Sequence, residues 1–390
     1  MTTESVLFAL LRAAVCGEVL SEEVVAACTP SILSKVYHLA AKHDLAHLAA
    51  HALENLTLSE NEILKKFKAA KSQAIYRYMR QDFEYHRICN ALEQGNIPFI
   101  PLKGAVLRDQ YPQAWMRTSV DLDVLVHPED VTRAADILEA KLSYKIEGRA
   151  THDVSLQTPG GAHIELHFDL VEEGRASSAK AVLDKVWEIA VLKDGSDFCY
   201  ELPDAWLYFY HIAHMAKHFE VGGCGIRAFL DLWLLENIAA GDPNHRRVML
   251  EQGGLLRFTQ AAVKLSRVWF SCEAPDDLSQ RLEQFILQGG IFGSSGNRVA
   301  LNQQNRGGKL AYLISRIFIP YEKLKRYYPI LEKYRWLTPF MQVRRWFMLL
   351  KPDVARMAKR ELAANNTLTQ QDAKKVSKLL NDIGLCRSSW

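Results

Sequence analysis

"RTSVDLDVLV", residues 117–126, sets two carboxylates, Asp121 and Asp123, into a run of strand-forming residues. Successive side chains of a strand point to opposite faces, so the two acids share one face and Leu122 and Val124 the other. Taking an ionised carboxylate out of water costs on the order of several kcal/mol unless a partner compensates it. Two acids on one face therefore repel unless a cation lies between them. The pair alone equally suits an edge strand with a solvated acidic face. The sequence around it has to decide.

Upstream, "NIPFIPLKG" (96–104) reads as a short apolar strand ending in Lys103-Gly104, followed by a helical "AVLRDQYP" in which Arg108 and Asp109 fall on the helix surface. Downstream, "PEDVTRAADILEAKL" is an amphipathic helix and "SYKIEG" a short strand. "DVSLQTPGGAHIELHFDL" (153–170) is a hairpin, two alternating runs about Pro159-Gly160-Gly161. Strand, helix, strand, helix, strand and hairpin within such a span predict an α+β fold: a small mixed β-sheet core flanked by N- and C-terminal helical regions. The expected organisation is a helical region over 1–95, the sheet core over 96–200, a helical domain over 201–305 and a helical C-terminal region over 306–390. In the first of these, Ile63, Leu64, Phe67, Ile75, Met79, Phe83, Ile88 and Leu92 recur mostly three and four apart, and Gly95 is a natural stop.

On the last strand His163, Glu165, His167 and Asp169 share one side, while Ile164, Leu166, Phe168 and Leu170 share the other. If this strand lies in register beside the D-x-D strand, Glu165 completes a three-carboxylate cluster. Such a cluster, with no Lys or Arg among its strand positions, is best explained by a divalent metal. Carboxylate oxygens suit Mg²⁺, which binds few protein groups and completes its shell with substrate phosphates. A solvated outer face is the competing account of the same alternation.

The ordered set "PLKGAVL", R-x-x-x-D-L-D-V-L-V and "HIELHF" resembles an incompletely characterised bacterial branch of the polymerase-β-like nucleotidyltransferase superfamily. Lys103 and Gly104 match the branch's Lys-Gly, Arg117 its arginine four residues before the first Asp, and Glu165 with His167 its Glu-Leu-His ending. "HIAHMAKH" (211–218) with "RAFLDL" (227–232) matches a later His-rich helix and R-x-x-x-D-L; the likeness spans roughly residues 35–240. The resemblance implies an Mg-dependent nucleotidyltransferase that moves an NMP from an NTP to a hydroxyl and releases pyrophosphate. It implies Asp121, Asp123 and Glu165 as metal ligands and catalytic residues for two Mg²⁺ ions, with Mn²⁺ as the alternative ion, and Glu165 as an aid to proton removal. Lys103, Gly104 and Arg117 would grip the triphosphate: Lys103 as a point charge, Gly104 by letting phosphate approach backbone N–H groups, Arg117 by forking onto phosphate oxygens. Better-known members have Gly-Ser where this chain has Lys-Gly, so a serine hydroxyl is missing from that grip. Asp169 is the fallback third acid. On this reading, exchanging Asp123 for Asn abolishes transfer and leaves the fold intact, and relief of repulsion raises apo stability. The acceptor would be RNA, a protein hydroxyl or a small molecule. The alternative function is a non-catalytic nucleotide- or RNA-binding module of the same fold, in a regulatory or toxin-antitoxin pair.

His211, His214 and His218 fall on one helix face, a spacing that suits zinc as well as a packed helix whose histidines hydrogen-bond neighbours such as Asp231. No Walker, G-x-S-x-G, H-E-x-x-H or G-x-G-x-x-G motif occurs. Seven scattered cysteines without C-x-x-C spacing argue for a reducing compartment. With "MTTESVLFALLRAAVCGEVL" read as an amphipathic helix and no apolar run near the roughly 20 residues of a membrane span, the expectation is a cytoplasmic protein without a membrane partner. From Arg306 to Arg360 fourteen Lys/Arg face three Asp/Glu, a local +11, so with +3 overall the rest of the chain carries −8. In that segment Tyr327, Tyr328, Trp336, Trp346 and Phe347 are expected in a core, with the cations as a solvated face. Were the acceptor RNA, Lys323, Lys325, Arg326, Arg344 and Arg345 would contact its phosphates.

Overall fold

The computed structural model describes residues 1–171, 178–237, 241–291 and 293–385. Most of the chain up to residue 94 is helical, ending in a long helix, α1 (Glu62–Gln94). Asn61 caps it, its side chain accepting from the N–H groups of Ile63 and Leu64, and Gly95 ends it. Its buried face follows the expected stripe at Leu64, Phe67, Ile88 and Leu92 but departs from it in the middle of the helix. Met79 and Phe83 are 63% and 61% exposed, while Gln81 and Glu84 are buried. The reason is polar: Gln81 binds Ser119 through both amide atoms, and Glu84 accepts the Tyr144 hydroxyl.

The sheet follows. β1 (Phe99–Pro101) leads into a single-turn helix, α2 (Gly104–Leu107); β2 (Asp121–Val126) precedes α3 (Val131–Leu142); then come β3 (Lys145–Arg149), β4 (Asp153–Gln157) and β5 (His163–His167). Their order is β1-β2-β5-β4-β3, parallel between β2 and β5 and antiparallel elsewhere. A second sheet pairs β6 (Val191–Leu192) with β7 (Tyr200–Glu201). The fold is thus α+β, with helices on both sides in sequence. Alternation decides the layers. Leu122, Val124, Val126, Val154, Leu156, Ile164 and Leu166 pack one face of the sheet against Ile88 and Leu92 of α1 and Ala134, Ala135 and Leu138 of α3.

The other face looks toward α4 (Asp204–Glu220) and α5 (Ile226–Asn237). Gly222 and Gly223, at φ +127° and +106°, turn the chain between these two helices, and Gly223 N–H returns to His218 O. Residues of α4 and α5 share one hydrophobic cluster with the N-terminal helices; Trp269, beyond α5, links them, stacking on Phe8 at 4.8 Å between ring centroids and meeting Phe229 of α5 edge to face at 5.2 Å. No helix among the described residues is long and apolar enough to cross a membrane.

Two helices of the basic segment, α6 (Lys309–Ile317) and α7 (Thr338–Phe347), correct the expectation of an aromatic core there. Tyr327, Trp336 and Phe347 are 71%, 69% and 65% exposed. Trp346 is half-buried because its indole N–H donates to Ile317 O. Arg345 is no free cation: it donates to the carbonyls of Arg316 and Ile317 and so closes the C-terminal end of α6. Arg344 lies over the Tyr328 ring and Lys325 pairs with Glu322. The side chain of Arg326 lies outside the described residues.

Candidate active site

Parallel pairing of β2 with β5 sets Asp123 directly across from Glu165 and Asp121 across from His163. Asp123 and Glu165 are therefore neighbours on one face, with Asp121 one same-face step further along β2 and lining the same cavity. Asp123 is buried (2% exposed), and Glu165 and Asp121 are partly so. His167, the next residue on that face of β5, is 6% exposed and joins them. Its Nε2 stands 2.8 Å from Asp123 Oδ1 and 3.3 Å from Glu165 Oε2. Among the described residues, Asp123, Glu165 and His167 are the set whose ligand atoms all lie within 4.8 Å of one another.

Lys103 reaches the same oxygen, with Nζ 2.8 Å from Asp123 Oδ1. Its backbone is held at φ 45°, ψ −112°, a region that side-chain-bearing residues seldom adopt and that functional sites tolerate as local strain. Leu102 N–H bonds to Asp123 O, tying this turn to β2. Gly104 follows because nothing larger fits: a Cβ there would lie 2.9 Å from both Arg117 Nη1 and Ser119 Oγ. The helix it opens has one turn, so its end carries little of the dipole expected at a phosphate site. The hydroxyl missing from the Lys-Gly motif has a neighbour in Ser119, whose Oγ borders Gly104 and donates to Gln81.

The charges are unevenly balanced. Burial pushes Asp123 up, but Lys103 and the His167 hydrogen bond outweigh it and hold it below the usual range. Glu165 is lowered by its hydrogen bond from His167. His167 is raised, the two carboxylates outweighing its burial. Asp121 goes the other way: burial and then the Asp123 charge raise it, and no cation among the described residues pairs with it. This corrects the stability expectation for Asp123, since Asp123 is the compensated acid and Asp121 the repelled one.

Arg117 is buried and its fork is taken. Nε and Nη2 grip Asp231 at 3.2 and 2.9 Å, and Tyr111 donates to the same carboxylate at 2.7 Å. That leaves Nη1, beside Gly104, as the part of Arg117 facing the cavity. The second R-x-x-x-D motif is interlocked with the first. Arg227 Nη1 donates to Thr118 O and Oγ1 and to Asp44, at 2.8, 3.1 and 3.2 Å. Arg108, expected on the surface, is 4% exposed and donates to Gly104 O, while Asp109 is exposed. Asp169 lies beyond the end of β5 against Lys180, away from the cluster.

The acids floor a cavity of about 370 Å³ whose other wall is α4 and α5, with Tyr210, His214, Lys217, His218 and Arg227 among its lining. This size suits a small-molecule ligand. Tyr210 is 5% exposed; Lys103 and the three acids are its charged neighbours. Burial lowers His214 well below its ordinary value, and His218 is pushed down to about 4 by burial, Lys103 and Lys217. The His-rich helix does not converge on a metal position: His211 Nε2 bonds to Ala228 O, whereas His214 and His218 contact each other edge to face. Tyr210 and Ser119 escaped sequence reasoning. Tyr210 does lie one helical turn before His214, on the same face.

Residues 31–271 match the family described as "Uncharacterised nucleotidyltransferase". The chain belongs to that family. No curated protein and no solved structure matches it. The matched span holds every residue discussed at this cavity and ends before the basic C-terminal segment.

Proposed function

We propose that this nucleotidyltransferase is metal-dependent and moves an NMP from an NTP to a hydroxyl acceptor. In the balanced step the acceptor oxygen bonds the α-phosphorus, the bond to the β-phosphate oxygen breaks, and pyrophosphate leaves. The hydroxyl proton passes to a carboxylate oxygen of Asp121 or Glu165. The observation that carries the reading is Asp121: a partly buried acid beside two others, without an ion-pair partner among the described residues and only partly offset by the Lys103 charge, on the floor of a cavity of nucleotide scale. An uncompensated acid in that position is costly unless a ligand completes it. The donor set fits a divalent ion, which Asp121, Asp123 and Glu165 would hold. When bound, the ion supplies charge neutralisation for the attacking and leaving oxygens. Lys103 would trade Asp123 for a phosphate oxygen, and Arg227, Lys217 and Arg117 Nη1 would add positive charge around the phosphates.

The test supplies each α-labelled NTP with Mg²⁺ or Mn²⁺ and cell extract, then asks which fraction carries label. Label should appear in an RNA, protein or small-molecule fraction with wild-type protein and vanish with Asp121→Asn. Transfer that persists in the variant, or no transfer from any NTP, would overturn the reading. The second reading, a nucleotide- or RNA-binding module without turnover, draws on the Lys103–Asp123–His167 network, which neutralises Asp123 from within. Retention of nucleotide without transfer would be its signature.

A further inference from the structure

We propose that the basic C-terminal segment seats this chain on a membrane surface: α6 and α7 set their exposed apolar faces into a bilayer bearing anionic headgroups, and the surrounding cations lie against those headgroups. The contact is peripheral, since no helix among the described residues is long and apolar enough to cross a membrane. It departs from the expectation of a chain without a membrane partner. It is also independent of the nucleotide chemistry, whose residues all lie in the matched span that ends at residue 271.

The first support is an apolar surface that nothing among the described residues covers. Leu310, Ile314 and Ile317 recur on one face of α6 and are 70%, 50% and 41% exposed. Phe340, Val343 and Phe347 do the same on α7, at 62%, 44% and 65%. The two stripes are joined. Phe318, itself exposed, meets Trp346 edge to face at 5.5 Å, and Arg345 and Trp346 bind the carbonyls that end α6. Trp336 and Leu350, exposed on either side of α7, extend the surface. Contiguous apolar surface of this kind marks an interaction site.

The second support is charge, and it selects the occupant. Between Arg306 and Arg360 fourteen Lys/Arg meet three Asp/Glu. A second copy of the chain would bring the same positive segment against itself, and the two would repel. RNA would answer the charge but not the stripes, because bases stack on aromatic rings and Leu310, Ile314, Ile317, Val343 and Leu350 are aliphatic. Several guanidinium groups that could grip RNA phosphates are engaged as well. Arg345 donates to two backbone carbonyls, Arg316 pairs with Glu361, and Arg335 and Arg344 lie over the rings of Tyr321 and Tyr328. An anionic bilayer asks for neither stacking nor a free fork. It offers a negative field to a net positive segment and an apolar interior beneath it, the boundary in which helices with apolar and cationic faces rest. Exposed Tyr327, Tyr334 and Trp336 are of the residue types that settle at headgroup level.

The experiment floats the full chain, without nucleotide, on vesicles of phosphatidylcholine alone or of equal parts phosphatidylcholine and phosphatidylserine. The chain should bind the anionic vesicles at least about tenfold more tightly than the neutral ones, and added salt should weaken that binding. Leu310→Gln/Phe340→Gln/Phe347→Gln should lose at least about tenfold in affinity for the anionic vesicles. Lys323→Gln/Lys333→Gln/Lys351→Gln should lose at least about tenfold as well. All six side chains are exposed, and a urea midpoint equal to that of the wild type checks that each variant is folded. Brominated acyl chains should quench the tryptophan fluorescence of bound protein, and Trp336→Phe should diminish that quenching. A chain that does not float with anionic vesicles, or one whose flotation survives the three apolar substitutions, would overturn the inference. So would self-association or single-stranded RNA binding that those substitutions abolish while vesicle binding is unchanged, which would give the face to a second copy or to RNA.

Discussion

Asp121 and Asp123 are chemically identical and stand on the same face of one strand, yet exchanging each for Asn should move stability in opposite directions. Asp123 is 2% exposed, with Lys103 Nζ and His167 Nε2 each 2.8 Å from its Oδ1. Breaking a buried ion pair by removing one partner costs about 3–5 kcal/mol, because the other charge is left uncompensated. Two features soften that loss here. His167 can release its proton, and Glu165 remains 3.3 Å from its Nε2. A destabilisation of about 2–3 kcal/mol is the expected outcome for Asp123→Asn. Asp121 has no ion-pair partner among the described residues; Asp123 and Glu165 repel it, and the Lys103 charge offsets them only in part. Its neutralisation should therefore stabilise the metal-free protein by up to about 1 kcal/mol, the scale of a weakly screened charge pair. The assay is urea unfolding at pH 7 in EDTA without nucleotide, comparing midpoints at unchanged slope. Both variants should nevertheless lose labelled transfer. An Asp123→Asn protein as stable as wild type, or an Asp121→Asn protein weaker by more than about 1 kcal/mol, would refute the charge assignment.

Asp231→Asn should cost about 3–5 kcal/mol by stranding buried Arg117, and the double variant Arg117→Met/Asp231→Leu should recover most of it; urea titration of the three proteins checks this, and a double variant no better than the single one would count against a pure charge effect. Acid should destabilise the fold well before its carboxylates titrate. His43 and His47 are pushed by burial from 6.5 to about 4, so the unfolded chain binds more protons between those values and stability falls as pH drops through that window. At pH 5 each contributes a loss of roughly 2 kcal/mol, from about 1.4 kcal/mol per pH unit below 6.5; thermal melts at pH 7 and 5 that coincide would contradict it. If the acceptor is RNA, Lys323→Gln/Lys325→Gln/Arg344→Gln should flatten the salt dependence of RNA binding by about 2 in log–log slope, at roughly 0.7 per phosphate contact, while NTP affinity is unchanged; an unaltered slope would assign those residues to a solvated face.

How much of this was legible follows from the range of each signal. Alternation is local and physical, so β2 and β5, their polar and apolar faces, and the meeting of Asp123 with Glu165 could be reasoned from two short stretches. The fate of Arg117 could not. Its partner Asp231 lies 114 residues away, and an arginine before an acidic strand looks the same whether it will hold phosphate or carboxylate. Lys103 was read as free for phosphate because no sequence pattern reports the turn at φ 45° that aims it at Asp123. His167 was seen as part of a motif but not as a ligand candidate, since its approach to Asp123 depends on the β2–β5 register. In the basic segment the helical character was legible and the exposure of its aromatics was not. Leu310, Ile314 and Ile317 of α6 and Phe340, Val343 and Phe347 of α7 form apolar stripes that are exposed, because a periodic stripe records a face and not what covers it.

The interlocking of the motifs explains why they travel together in one chain. An acidic strand face is stable when solvated or when roofed by something that answers its charge. Here the roof is α4 and α5, and it is clamped to the sheet by charge: Arg117, four residues before Asp121, holds Asp231 on α5, while Arg227 on α5 holds Thr118 and Asp44. Each R-x-x-x-D motif therefore supplies what the other's neighbourhood lacks. The same clamps hold the roof over Lys103, Gly104 and the acids and leave Asp123 and His167 buried beneath it. Charge–charge interactions strengthen as the local dielectric falls, so the roof raises both the cost of the empty acidic cluster and the gain when a cation and phosphates complete it. The +11 segment lies beyond residue 271, outside the family match and outside this enclosure. Loosening Arg117–Asp231 should therefore weaken nucleotide binding whatever the acceptor, whereas, if the acceptor is RNA, changes between 306 and 360 should alter its binding and leave that of the nucleotide unchanged.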